Sequence, residues 1–272
     1  MILLIDWGNT CLKYVLLDEQ ESPFERTMKI GRAATLKEFV CLIKNNDLSS
    51  YHSIHDNECR KTDNIETSAI TKTLITSVKN KNDNLQLSRQ LEELGIEAYF
   101  AKTSKEACGV ICGYDNPELL GVDRWLALIA GYENGRTIGI IDIGSAITLD
   151  IVNPVGQHLG GHIIPGLRLL NESLSNTANI RILSSNLQIK SNTLGKTTTE
   201  CVNVGIESLI VNYLIQSIKS LSGEYNVDGW LMTGGDSEYY LNQIKSLKIL
   251  ENMHHLRIDQ HLVFKGLWKL FE

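Results

Sequence analysis

The chain has 272 residues, 43% of them apolar, and a formal net charge of -6. That length allows one large or two medium cores, and the apolar share excludes wholesale disorder. The acidic balance speaks against a nucleic-acid partner held by a basic footprint. In chain order, apolar runs at residues 2–5 and 12–17 predict two strands around a turn. A weaker strand signal lies near 26–30. Residues 35–44 carry apolar positions at helical spacing, with Thr35 as N-cap. Residues 45–67 are polar and read as a loop. A strand at 73–78, a helix at 83–94 stopped by Gly95, and a strand at 97–101 come next. A long helix starts after Asn116-Pro117, with proline in its first turn, and runs to about Tyr132. Strands follow at 137–143, 146–152 and 157–164, then helices at 167–175 and 198–221. A short buried strand at 230–232 precedes Thr233-Gly234-Gly235, and a last helix covers about 260–271.

Residues 1–5 look like the start of a secretory leader, but they have no basic residue, and Asp6 ends the run. No stretch approaches the roughly 18 apolar residues of a membrane span, so no membrane association is expected. Cysteines stand at positions 11, 41, 59, 108, 112 and 201 with irregular spacing. Cys11 and Cys41 lie among apolar residues, and buried reduced thiols in a cytoplasmic protein are the expectation.

The sequence contains an internal echo. "LLIDWGNTCLKYVLLD" begins at Leu3 and "GIIDIGSAITLDIVNP" at Gly139. Aligned, Asp6 meets Asp142, Gly8 meets Gly144 and Asn9 meets Ser145, at an offset of 136 residues, half of the chain. A repeat of that period points to a duplicated α/β domain. One copy alone is ordinary hairpin chemistry. Two copies, with a third glycine turn at Thr233-Gly234-Gly235, favour a phosphate cradle. Gly8 and Gly144 would take positive φ and let a ligand approach the backbone. The next N–H groups, with the Asn9, Thr10 or Ser145 side chains, would donate to phosphate oxygens. The aspartates would act through Mg²⁺ or another cation, and Lys13 would add a positive charge.

Other motifs keep two readings. In "GVDRW", Asp123 and Arg124 are either a solvated ion pair or an acid that accepts a hydroxyl proton beside a cation that holds a carboxylate. "LGGHIIPGL" at 159–167 is either a close-approach loop or a turn before a helix. "LGKTTTE" at 194–200 mimics a P-loop, but Lys190 stands where the first glycine belongs and no strand precedes it. A helix start explains it better. His52, His55 and Cys59 have metal-like spacing without a second cluster, and the Cys108/Cys112 pair is a weaker case. His158 and His162 read as loop or core histidines.

Taken in order, the DxGNTxxK start, GxDR, DxGSAxT and TGG resemble the type III pantothenate kinase family. The resemblance covers almost the whole chain. It implies two ribonuclease-H-like domains of the actin-like, sugar-kinase-like ATPase superfamily, an ATP cleft between them, and a homodimer. The expected division is 1–116 and 117–272. By position, the first phosphate-binding segment is Asp6, Trp7, Gly8, Asn9, Thr10, Cys11, Leu12 and Lys13. Asp123 resembles the catalytic base, within a substrate segment of Gly121, Val122, Asp123 and Arg124. Tyr114 and Thr198 resemble further substrate contacts. Asp142 resembles the ligand of a monovalent cation, K⁺ or NH₄⁺, and Ser145 a nucleotide contact.

The implied reaction transfers the ATP γ-phosphoryl group, with Mg²⁺, to the primary hydroxyl of pantothenate, the first committed step of coenzyme A synthesis. Ser145 and Ile147 stand where the family usually and often has threonine, and Trp7 is bulkier than the usual residue. Two alternatives are a transcription-linked accessory factor without kinase activity and a kinase for another small alcohol.

Overall fold

A computed structural model describes residues 1–17, 30–48, 67–178, 194–247 and 255–272. The strand expected near 26–30 lies outside these residues except for Ile30. Most of the polar 45–67 segment, with His52, His55 and Cys59, also lies outside them, as does Lys190. Two compact units emerge, one of Met1–Gly131 with His261–Glu272, the other of Tyr132–Gln260.

The first unit is built on β1 (Ile2–Trp7), β2 (Leu12–Leu17), β3 (Gly31–Ala33), β4 (Lys72–Ser77) and β5 (Glu97–Phe100). Their order in the sheet is β3-β2-β1-β4-β5. β1 runs antiparallel to β2 and parallel to β4. Alternation along β1 sends Leu3, Ile5 and Trp7 to one face and Leu4 to the other. The first face packs on α1 (Leu36–Lys44) and α2 (Lys81–Glu92) through Phe39, Ile43, Leu87 and Leu91. Thr35 caps α1, its side chain accepting from the Glu38 N–H. Gly95 ends the α2 region at φ 74°, a conformation glycine adopts without strain.

The opposite face is covered by α3 (Val122–Gly131) and α7 (Leu262–Phe271), whose Leu126, Phe264 and Leu267 meet Leu4, Val15 and Leu74. The two helices cross closely because Gly266 has no side chain; a Cβ there would overlap the Leu126 carbonyl. This packing puts α3 and the chain's last helix in the first unit, so the division falls after Gly131 rather than after 116. The long helix expected from 117 is interrupted. A short 3₁₀ turn, Pro117–Leu119, is followed by extended Leu120, and α3 starts only at Val122. A two-stranded ribbon of β6 (Glu106–Ala107) and β7 (Val110–Ile111) lies in the same unit.

The second unit repeats the plan with β8 (Ile138–Ile143), β9 (Ala146–Val152), β10 (His158–Pro165), β11 (Gly229–Thr233) and β12 (Leu256–Ile258), ordered β10-β9-β8-β11-β12. Directions match strand for strand: β8 is antiparallel to β9 and parallel to β11. Each unit is therefore a ribonuclease-H-like sheet, and the echo at half the chain marks a duplicated fold. A second echo accompanies it. Thr76 pairs with Asp6 across β1–β4, and Thr233 pairs with Asp142 across β8–β11.

Among the described residues, helices α4 (Leu167–Ala178), α5 (Thr198–Tyr225) and α6 (Ser237–Ser246) join these strands in the unit. By length and composition α5 could cross a bilayer. Its Ile206, Ile210, Val211, Leu214 and Ile218 instead pack on Ile141, Ile143, Leu149 and Met232 in the core. Of the five described cysteines only Cys112 is buried; Cys41, Cys108 and Cys201 are exposed and Cys11 is intermediate. Burial of Cys41 was the wrong expectation, because α1 turns Phe39, Val40 and Ile43 inward instead.

Candidate active site

In the first unit the hairpin register brings Asp6 directly opposite Lys13 and Trp7 opposite Leu12. Residues 8–11 form the turn, closed by the Gly8 N–H donating to the Cys11 carbonyl at 3.2 Å. Asp6 and Lys13 share the face of Leu4 and Val15, the face that α3 covers. Lys13 Nζ lies 3.5 Å from Asp6 Oδ2. Burial pushes the Asp6 carboxyl above its ordinary range, Lys13 opposes this, and the nearby Asp123 adds to it. The strand's alternation therefore explains why an aspartate ends it: Asp6 points to the entry of α3, where a second carboxylate stands.

Trp7 and Leu12 point the other way, into the α1–α2 core, with Trp7 only 7% exposed. Their side chains belong to the hydrophobic interior. The expected positive φ at Gly8 does not occur, nor does it at Gly144. A Cβ on Gly8 would meet only the Cys11 carbonyl, at 3.6 Å. Local strain therefore does not require glycine at either place.

The GVDR segment has a sharper logic. Asp123 Oδ1 accepts from the Arg124 N–H at 2.9 Å at the start of α3. The carboxylate folds over Gly121, where a Cβ would stand 2.6 Å from Oδ1. Gly121 is thus the residue that leaves room for Asp123. Arg124 is not solvated; it is 6% exposed. Its Nη1 donates to the Tyr114 hydroxyl at 2.9 Å, and its guanidinium lies 5.7 Å from the Tyr114 ring centre. The solvated ion-pair reading fails because Arg124 turns inward to Tyr114. Asp6, Lys13 and Asp123 form one group of charges here, and Tyr114 with Arg124 forms a packed pair beside Asp123 in sequence.

In the second unit, Gly144 and Ser145 form the turn between β8 and β9, with the Gly144 N–H donating to the Ala146 carbonyl at 3.0 Å. Two other glycines press on it. Gly166, from "LGGHIIPGL", donates its N–H to the Ser145 carbonyl at 3.0 Å, and a Cβ there would overlap the Gly144 carbonyl. Gly234 has φ 93°, and a Cβ on it would overlap Asp142 Oδ1 and the Ile143 carbonyl. The positive φ expected at Gly144 is found at Gly234 instead. Ile147 faces the core, so its departure from threonine removes no ligand contact from the turn.

Thr198 is exposed at the start of α5. Thr197 caps that helix by accepting from the Glu200 N–H, and the Lys196 N–H donates to Glu200 Oε2 at 2.7 Å. The GKT string is therefore a capping arrangement. His158 is buried, its Nε2 2.9 Å from Asp150 Oδ1, and His162 Nδ1 lies 3.1 Å from the Tyr213 hydroxyl. Among the described residues no three His, Cys, Asp or Glu side chains gather as a metal cluster. One or two carboxylates completed by phosphate oxygens is the Mg²⁺ arrangement compatible with that result. Asp6, largely but not fully shielded from solvent, with Asp123 close enough to raise its pKa, fits such an ion, whose charge would relieve both carboxylates.

The fold resembles a Campylobacter jejuni protein described as a Baf family transcriptional activator, at 20% identity and TM-score 0.53, covering 99% of this chain and 96% of that one. It also resembles a Sinorhizobium meliloti protein described as a 2-dehydro-3-deoxygalactonokinase, at 12% identity and TM-score 0.52, covering 98% and 97%. Both likenesses concern fold alone. The type III pantothenate kinase of Acinetobacter baylyi is 31% identical over 97% of this chain and 95% of its own length. That of Chromohalobacter salexigens is 42% identical over 141 residues, 51% of this chain and 50% of its own length. The family model for type III pantothenate kinase matches residues 2–219, and the chain belongs to that family.

Proposed function

We propose that this chain transfers the γ-phosphoryl group of ATP to the primary hydroxyl of pantothenate, opening coenzyme A synthesis. The observation that carries the reading is the group of Asp6, Lys13 and Asp123 at one end of the first sheet. Phosphoryl transfer needs positioning and charge neutralisation more than covalent chemistry. The 8–11 turn offers backbone N–H groups and the Asn9 and Thr10 side chains to phosphate oxygens. Lys13 contributes positive charge, and Asp6 orients it. Bound Mg²⁺ would neutralise triphosphate charge, with Asp6 as its protein-side partner. Asp123 accepts the hydroxyl proton as the oxygen bonds to phosphorus. Arg124 and Tyr114, fixed on each other, shape the wall against which the acceptor lies. Gly121 and Val122 belong to the same segment, and Thr198 serves as a further substrate contact through its hydroxyl.

In the second unit, Ser145 contacts the nucleotide and Asp142 holds K⁺ or NH₄⁺. Activity that is unchanged when the only monovalent cation is bulky and organic would remove the Asp142 role. The enzyme works as a homodimer in the cytoplasm; sedimentation as a monomer at micromolar concentration would count against the dimer.

The deciding experiment measures ADP release with pantothenate, with sugars and with no acceptor. Turnover is expected with pantothenate alone. Asp123→Asn should lower kcat about 10²–10⁴-fold, the usual range for loss of a general base, with the fold intact. Wild-type turnover in that variant would sink the assignment of the base.

A further inference from the structure

The sequence motifs leave Trp7 without a role and do not include the loop after β4. In each unit, a threonine paired with the aspartate starts a connection to the next helix. Thr76 leads to Asn80, whose side chain caps α2, and Thr233 leads to Asp236 at the N-cap position of α6. The first connection is one residue longer. The residue before its cap is Lys79.

Lys79 is held at its base. Its N–H donates to Ser77 Oγ at 3.1 Å, and Asn84 Nδ2 donates to its carbonyl at 3.4 Å. Ser77 Oγ donates in turn to Asn84 Oδ1 at 2.6 Å. The side chain then reaches across to the hairpin turn, where Nζ donates to the Asn9 carbonyl at 3.0 Å. The same nitrogen lies 6.0 Å from the centre of the Trp7 ring, at the limit of a cation–π contact. Lys13 has Asp6 as an ion-pair partner. Lys79 has no carboxylate within ion-pair distance among the described residues. An ammonium carries three donors, and Asn9 takes one.

We propose that Lys79 is a phosphate-binding residue: its ammonium, seated on the Asn9 carbonyl and over the Trp7 ring, contacts the triphosphate at the 8–11 turn. This rests on the reading of that turn under Proposed function. Trp7 then has a reason to be large. Its body fills the α1–α2 core while its ring borders the seat of the ammonium. A carboxylate on the acceptor is the other anion that could meet Lys79. The seat on Asn9, inside the turn, favours the nucleotide.

The test compares the full-length protein with Lys79→Met and Lys79→Arg. ATP and ADP binding is measured by calorimetry without acceptor, alongside the thermal midpoint of the free protein and the KM for each substrate. Lys79→Met should weaken ATP about tenfold or more, the scale of one lost charge-assisted hydrogen bond. It should reduce the salt dependence of binding and leave the pantothenate KM and the midpoint near wild type. Lys79→Arg should recover most of the affinity. Unchanged ATP affinity in Lys79→Met overturns the proposal, whether or not the midpoint falls. So does a rise confined to the pantothenate KM, which would assign Lys79 to the acceptor. Failure of the wild type to phosphorylate pantothenate while it binds ATP would defeat the functional reading alone, because the calorimetric comparison would still decide Lys79.

Discussion

Gly234→Ala is the most direct test of how the second unit is assembled. Gly234 has φ 93°, which an L-residue adopts at a strain of about 1–3 kcal/mol. Its added methyl would also overlap Asp142 Oδ1 and the Ile143 carbonyl, so the aspartate or the end of β8 must shift. Strain and displacement together should destabilise the protein by about 2–4 kcal/mol, within the range of backbone-conformation defects. For a chain of this size each kcal/mol moves the thermal midpoint by roughly 2–4 °C, so a fall of about 5–15 °C is expected. Gly235→Ala is the matched control. Gly235 has no positive φ, and no atom lies within 4 Å of the position a Cβ would take. Thermal unfolding followed by circular dichroism separates the two variants. Equal midpoints for Gly234→Ala, Gly235→Ala and wild type would refute the steric argument. The cation response assigned to Asp142 should weaken in Gly234→Ala, because the displaced atom is the proposed ligand.

Asp6→Asn should abolish turnover yet raise the midpoint of the free protein at pH 7. Burial and Asp123 hold the folded carboxyl above its ordinary value of 3.8, against Lys13. A raised acid destabilises the folded state as pH climbs from the unfolded pKa through the folded one, so the gain should vanish near pH 3. A lower midpoint at pH 7 would reverse the electrostatic reading. Tyr114→Phe removes one acceptor from the buried Arg124. A destabilisation of about 1–2 kcal/mol, by denaturant titration, should accompany a higher pantothenate KM; wild-type values for both would break that link. Gly8→Ala should leave stability within about 0.5 kcal/mol, since a Cβ has only the Cys11 carbonyl at 3.6 Å. Gly166→Ala should fall well outside that range, and similar midpoints for the two would refute the packing described at the second turn.

The strand pairs flanking both turns were legible because two apolar runs separated by so few residues leave no room for a crossover and pair as hairpins. The start of α5 was legible from Thr197 and Glu200, a cap with a local chemical signature. Helix α6 was missed although its buried residues, Ser237, Tyr240, Leu241 and Ile244, have helical spacing. Serine and tyrosine hide that stripe when only aliphatic residues are counted. β12 has three residues, too few to establish alternation. The burial of Arg124 was not legible, because a charged side chain reads as solvated until its partner, Tyr114, is brought to it by the fold. The inward face of Trp7 was legible, because period-two alternation from Asp6 assigns its side chain to the opposite face of β1.

The two D-x-G turns share sequence and topology, yet they are held by different physics. The first is held by its own hairpin bond, by the Asp6–Lys13 pair across the strands, and by Lys79 reaching in to Asn9. Charge sets that turn, so its variants should respond to salt and pH. The second is clamped by Gly166 and Gly234, whose missing side chains let backbone and carboxylate approach. Sterics set that turn, so its variants should respond to a single methyl group and little to ionic strength. Duplication supplied two equal hairpins, and the connection from strand to helix is where they differ. The longer one, after β4, carries a cation, whereas the shorter one, after β11, carries two glycines. Divergence of the two units is thus written less in the turns than in the loops that brace them.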